Sequence, residues 1–256
     1  MIAITHVPSP KTELGQRTFV ERNPIEHERA LRQHDEYCQM LRKFGAEVQT
    51  LSVNLDLPDC VFVEDTAIVL DEVAVLASMG AESRRAELAG IEMALRKYRE
   101  IHRVELPATI EGGDVLRVGR KLLVGSSSRT NRAGVKALHA AVRRYGYDVV
   151  TVPVRECLHL KTACTALPDQ RLLVNRAWLD TEALRGFELV PVPEPWGANV
   201  ALFGATVCAA GHNEQTAGMI RELGFEVRTI DISEFAKAEG GITCLSILFE
   251  ESGSSR

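Results

Sequence analysis

Cysteine chemistry at neutral pH needs a thiolate, a proton shuttle and a group that orients the shuttle. The chain offers one of each. "EGGITCLSIL" (239–248) sets Cys244 behind the glycine pair Gly240–Gly241, where the last strand is expected. "CLHLKTA" holds His159, and "TIEGGDVL" places Glu111 before Gly112–Gly113 at the start of a hairpin strand. Singly, each has a plainer reading. A strand cysteine is usually a small buried hydrophobe, a lone strand histidine is more often structural, and an acid before Gly-Gly usually marks a turn. Taken together, at comparable points of three repeated units, the three are harder to dismiss. The glycine pair would then let backbone approach a ligand beside Cys244.

A second group of charges suggests what such a site would take. "PDCVFVED" carries Asp59, Glu64 and Asp65, three acids within seven residues. A solvated hairpin turn would explain them, but their like-charge strain is also what a cationic ligand relieves. In "GAESRR", Arg84 precedes Arg85 at an expected helix start, where basic residues oppose the helix dipole and an anionic ligand would offset them. The plainer alternative for Arg84 is a surface salt bridge. "CLHLKTAC" spaces Cys157, His159 and Cys164 as C-x-H-x4-C. Structural zinc sites generally need four ligands in paired clusters, and the sequence offers no second cluster, so no metal is expected.

These residues need elements to hold them. "LRKFGAEVQTL" (41–51), "VRRYGYDVVTVP" (142–153) and "IRELGFEVRTID" (220–231) each read as a helix end, a glycine cap and an alternating strand. "WLDTEALRGFELVPVP" (178–193) is a shortened version, and "LRKYREIHRVELP" (95–107) keeps the change from helix to strand without the glycine. Between them lie paired apolar runs with hairpin turns: "CVFVEDTAIVLDEVAVLAS", "GGDVLRVGRKLLVGS", "KTACTALPDQRLLVN" and "NVALFGATVCAAG". The closing "GGITCLSILF" can pair with the opening "MIAITHV" as a fifth. A strand–strand–helix–strand unit of about 50 residues therefore recurs five times, which points to a closed radial α/β fold rather than an open parallel sheet. Strand ends converge on the axis of such a fold, so residues distant in sequence can share one site.

The bulk numbers are compatible. At 256 residues, 25% charged and 45% hydrophobic, the chain is an ordinary globular protein, expected to form one domain over 1–250 with "ESGSSR" (251–256) as a disordered tail. A net charge of −5 lacks the basic excess of a nucleic-acid binder. No apolar stretch approaches the roughly 20 residues of a membrane helix, and "MIAITHVPSP" does not read as a signal peptide. Six irregularly spaced cysteines read as reduced thiols of a cytoplasmic protein.

"LPDCVFVEDTA", "GAESRR", "IEGGDVLRVGRKLLVG", "SSRTNRAG", "LHLKTACTAL" and "GGITCLS", in this order across nearly the whole chain, resemble the dimethylarginine dimethylaminohydrolases. That family belongs to the guanidino-modifying superfamily with the pentein fold, a five-bladed α/β-propeller. The resemblance implies Cys244 as nucleophile, His159 as general acid/base and Glu111 as its partner. It implies substrate contacts from Asp59, Glu64, Asp65, Arg84 and Arg129, with backbone contacts from a lid near Phe19 and from Ala238. Many relatives carry leucine where Phe19 stands. Some have two adjacent cysteines at the nucleophile, whereas here only Cys244 can serve. The implied reaction is hydrolysis of N-methylated arginine to citrulline and a methylamine through a covalent thiouronium, without metal or organic cofactor. Carboxylates suit this substrate, because they match the N–H fork of a planar guanidinium. The alternatives are an arginine deiminase, a hydrolase of another guanidine, or a non-catalytic pentein that binds a macromolecule. The expected partner is a small guanidino compound, with neither nucleic acid nor membrane. Oligomeric state is open, a homodimer among the options.

Overall fold

The computed structural model describes residues 1–251. Most of the expected tail, 252–256, lies outside the described residues. From the N-terminus run β1 (Ile2–His6), α1 (His27–Lys43) and β2 (Glu47–Leu51), then β3 (Ala67–Val69), β4 (Val73–Leu76), α2 (Leu88–Leu95) and β5 (Glu100–Arg103). β6 (Val115–Val118), β7 (Lys121–Ser126), α3 (Arg132–Val142) and β8 (Asp148–Pro153) follow, then α4 (Leu160–Ala163), β9 (Cys164–Leu167), β10 (Arg171–Val174) and β11 (Glu188–Pro191). The chain ends with β12 (Ala201–Phe203), β13 (Thr206–Ala210), α5 (Glu214–Glu222), β14 (Glu226–Ile230), α6 (Ser233–Ala236) and β15 (Ile247–Phe249).

The strands form five three-stranded sheets, ordered β15-β1-β2, β3-β4-β5, β6-β7-β8, β9-β10-β11 and β12-β13-β14. In every sheet the first pair is antiparallel and the second parallel, and in all but the fourth a helix makes the crossover. The expected pairing of the two chain ends is present, with Ile2 opposite Phe249 and Ile4 opposite Ile247. Five apolar clusters lie between successive sheets. Ile4 and Ile247 pack with Leu76, Val75 with Val124, Leu123 with Leu172, Leu173 with Val207, and Cys208 with Tyr37 of the first unit. The ring therefore closes through side-chain packing between five propeller-like blades.

This arrangement explains the strand compositions. β1 and β4 are buried along their whole length, as continuous apolar runs between two neighbours must be, whereas β2 and β5 contain no fully buried residue. α1 buries Ala30, Gln33, His34, Tyr37, Cys38 and Leu41, the spacing of one helical face. α1 and α5 are followed by Gly45 at φ 82° and Gly224 at φ 91°, the left-handed region a helix cap needs. The fourth unit keeps only a 3-10 turn, Thr181–Leu184, in place of a full helix.

The expected hairpins differ at one end. Their first runs are strand only in the second half, because the preceding residues coil into single turns. Val63–Thr66 precedes β3, Gly112–Asp114 precedes β6, α4 precedes β9, and Thr243–Leu245 precedes β15. Glu111 and Cys244 therefore sit in or at turns, not in strands as their apolar context suggests. Those turns carry the chemistry.

Candidate active site

The four turns bring the expected residues to one end of the ring axis. A pocket there is lined by Asp59, Phe62, Asp65, Arg84, Arg129, His159, Ala238 and Cys244, together with Gln16, Leu158, Glu239 and Gly240. Glu111 stands behind His159, its Oε2 2.7 Å from Nε2 of the ring. Glu111 is 0% and His159 3% exposed. The other ring nitrogen, Nδ1, lies 3.6 Å from Asp65 Oδ1. Gly113 is required here, since a Cβ would come within 2.7 Å of Nδ1.

Burial alone would strip the proton from His159. Asp65, Glu111 and Asp114 outweigh it and raise the imidazole to about 9, so the ring is protonated at neutral pH and Nε2–H donates to Glu111. Burial would likewise protonate Glu111, but its hydrogen bond to His159 and the charges of His159, Arg84 and Arg129 hold it below the usual carboxylate range. Of the six cysteines only Cys244 is not fully buried. Burial pushes its thiol well up, and Glu64 and Asp65 push it further, against the Gly241 amide that points at Sγ from 3.3 Å. Around the site, the carboxylates of Asp59, Glu64, Asp65, Glu87, Glu111 and Asp114 outnumber the cations Arg84, Arg129, His159 and Lys161. A cationic ligand would offset that excess.

Gly240 and Gly241 serve a different purpose from the one their position suggests. A Cβ on Gly240 would lie 2.4 Å from the Phe62 ring, and one on Gly241 2.3 Å from the Asn199 amide. Both glycines make room for protein side chains. Glu64 lies beside this group, bonded to Lys161 Nζ at 2.5 Å and to the Thr243 hydroxyl at 2.7 Å.

The two arginines have different surroundings. Arg84 is 3% exposed, so it is not a surface residue. Its Nη1 donates to Asp65 Oδ2 at 2.6 Å, its Nε and Nη2 to Glu87, and Nη2 also to the Phe62 carbonyl. Internal carboxylates offset this charge. Arg129 makes only long contacts of 3.5 Å from Nη1 to the two Glu111 oxygens. Asp59 accepts from the Gln16 amide at 3.1 Å.

The segment from Gln16 to Ile25, free of helix and strand, forms the cover. Thr18 and Phe19 donate their amides to the two oxygens of Glu239, and Arg17 Nε reaches the Lys237 carbonyl at 2.8 Å. Phe19 is 40% exposed, its ring outside the pocket wall. Fastened this way, the cover leaves a cavity of about 20 Å³, room for about one water.

Cys157 and Cys164 do not join His159 in a ligand cluster. Both are buried, and Cys157 Sγ points at the His159 carbonyl from 3.5 Å. Among the described residues, the one group with donor atoms close enough to share an ion is Asp65, Glu111 and His159. Sequence reasoning missed Asp114, Lys161, Asn199, Glu87 and Glu239. Only Glu87 carried a local signal, an acid three residues after Arg84.

Five blades of this connectivity around a Cys–His–carboxylate site define a guanidino-modifying pentein. The profile of the family described as "N,N dimethylarginine dimethylhydrolase, eukaryotic" matches residues 9–181. The N(G),N(G)-dimethylarginine dimethylaminohydrolase of Streptomyces coelicolor is 42% identical over 251 residues, 97% of each chain. That of Pseudomonas aeruginosa is 31% identical over 88% of this chain and 90% of the relative. The structure of the Pseudomonas aeruginosa enzyme, as a cysteine-to-serine mutant with citrulline, superposes with a TM-score of 0.91 at 30% identity, covering 97% of this chain and 98% of that one. The chain belongs to the dimethylarginine dimethylaminohydrolase family.

Proposed function

We infer that this protein hydrolyses N-methylated arginine to citrulline and a methylamine. The observation that carries the reading is the pairing of a buried, protonated His159 with a neutral Cys244 in a site whose carboxylates outnumber its cations. A guanidinium brings a further positive charge to that excess of acids. Its N–H groups suit the carboxylates of Asp65 and Glu64, which are the same charges that hold the proton on Cys244. Binding therefore favours the thiolate, whose proton leaves to solvent because His159 already carries one, and brings the electrophilic carbon to it. Sγ attacks this carbon, the C–N bond to the methylated nitrogen breaks, and His159 gives its proton to the departing amine. The covalent thiouronium that remains is attacked by water, whose proton returns to His159, and citrulline leaves as the C–S bond breaks.

Arg129 is the better candidate for the substrate carboxylate, because Arg84 would have to release Asp65 or Glu87 first. Asp59 suits the α-ammonium, and the main chain near Phe19 and Ala238 the edges of the substrate. Residues 1–250 act as one catalytic domain in this reading, since the site draws on four of the five blades. No helix among the described residues is long and apolar enough to cross a membrane. Six free cysteines suit a reducing cytoplasm.

The test is to compare kcat/KM for dimethylarginine, monomethylarginine and arginine, and to identify the amine released. Citrulline with dimethylamine from dimethylarginine is expected, and Cys244→Ser should remain folded without turnover. Preference for arginine with release of ammonia would make the protein a deiminase. Full activity of Cys244→Ser would remove the nucleophile.

A further inference from the structure

Asp114 is 0% exposed, yet neither ring nitrogen of His159 touches it. Its Oδ1 accepts the Leu160 amide at 2.9 Å, the first amide after His159 in the α4 turn. Its Oδ2 accepts the Ser127 hydroxyl at 2.6 Å. Ser127 Oγ in turn accepts the amides of Arg129 at 3.0 Å and Thr130 at 3.2 Å. Gly125 in β7 leaves space for this carboxylate, since a Cβ there would lie 2.4 Å from Oδ1. Glu111 and the three-residue turn after it thus grip the histidine three times: Glu111 on the ring, Gly113 against the ring, and Asp114 on the backbone that carries it.

We propose that Asp114 is a positioning residue that ties the His159 turn to the Arg129 turn and stands as a third carboxylate behind the imidazolium. All its hydrogen-bond donors are neutral groups. A buried carboxylate so placed needs a countercharge to offset its desolvation, and the cation it acts on is His159. The other charged groups around His159 are accounted for. Asp65 faces Nδ1 and bonds Arg84, Glu111 faces Nε2 and Arg129, Lys161 on the same turn is held by Glu64, and Cys244 shares the pocket as a neutral thiol. Asp114 is the acid in this set with no cationic partner besides His159. One side chain therefore sets both the aim and the charge of the acid/base group, and reaches the arginine assigned to the substrate carboxylate through a single hydroxyl.

The inference rests on the roles given above to His159 and Arg129, but its main readout needs no substrate. Asp114→Asn keeps the size of the side chain and an acceptor for the Leu160 amide while removing the charge. With isotope-labelled histidine, the NMR titration midpoint of His159 should fall by about one pH unit, since one nearby charge of three is lost. An unmoved midpoint in a folded variant overturns the electrostatic half, whether or not the protein is a dimethylarginine hydrolase. Ser127→Ala leaves the Asp114 charge in place and is read independently of how Asp114→Asn folds. It should raise KM for an α-carboxylate substrate about fivefold with kcat nearly unchanged, and lower the His159 midpoint by less than Asp114→Asn does. Unchanged KM overturns the link to Arg129.

Discussion

Lys161 Nζ lies 2.5 Å from Glu64 Oε1, with both side chains largely out of solvent. Burial pushes the Glu64 carboxyl up and Lys161 brings it part of the way back. The pair also anchors the nucleophile's turn, because Glu64 Oε2 accepts the Thr243 hydroxyl and Asn199 bonds both Thr243 and the Lys161 carbonyl. Lys161→Met should leave a buried carboxylate without its cation and cost roughly 3–5 kcal/mol in urea unfolding. Lys161→Met combined with Glu64→Gln should recover most of that loss, as both charges are then gone. A Lys161→Met protein as stable as the wild type would mean that Glu64 is protonated in the folded state and needs no partner.

The cover over Cys244 is held by one carboxylate receiving two successive amides. Glu239 sits at φ 62°, a backbone conformation an acidic residue seldom adopts, and Thr18 and Phe19 donate to it. Glu239→Ala should open the segment more often, exposing the bonds after Arg17 and Arg22 to trypsin. Loss of about 1.4 kcal/mol, within reach of such charge-assisted bonds, corresponds to roughly tenfold faster cleavage there. KM should rise as well. Cleavage at the wild-type rate would show that other contacts, such as Arg17 with Lys237, hold the cover.

Much of this site could be read from the chain because its signals are local. The glycine caps before Glu47 and Glu226 mark the repeats, and Cys244, His159 and Glu111 each lie beside glycines or at a unit boundary. The single turns were not legible. "CVFVED" and "GGITCLS" alternate like strands, and only the convergence of blade ends at the axis, where no neighbouring strand remains to pair with, makes them coil. Lys161, Asn199 and Glu239 were missed for a related reason. Their partners Glu64, Thr243 and Thr18 lie 97, 44 and 221 residues away, so no local pattern links them. Arg84 lines the pocket, but a helix-dipole argument could not foresee that Asp65 and Glu87 already balance its charge.

The arginines should separate by experiment. Arg84 bonds two buried carboxylates and carbonyls of the 59–62 segment, so Arg84→Ala should chiefly lower stability, by several kcal/mol. Arg129→Ala should chiefly raise KM for arginine-like substrates and much less for a decarboxylated analogue, with a loss on the order of 2 kcal/mol in transition-state stabilisation. Urea unfolding and kinetics on the two substrate types give both numbers. Equal loss with both substrates for Arg129→Ala would make it a support for Glu111 instead.

The ion pair at the centre of the site also sets how stability depends on pH. His159 rises from its ordinary 6.5 to about 9 on folding, so the folded state binds the proton more tightly than the unfolded one. That contribution is fully present below about pH 6.5 and fades as pH climbs through about 9. Glu111 moves the other way. Its folded value lies below the ordinary 4.5, so its contribution is present above that value and fades as pH falls through the depressed one. Both shifts describe one buried pair and count once, at about 3 kcal/mol. Urea unfolding of wild type and His159→Gln at about pH 6 and pH 9.5 isolates the term, because the background titration of other groups is common to both. The stability gap between them should narrow by about 3 kcal/mol toward alkaline pH. A gap that stays constant would mean that the His159 proton is not held more tightly on folding, and that the proton delivered to the leaving amine comes from another group such as the Cys244 thiol.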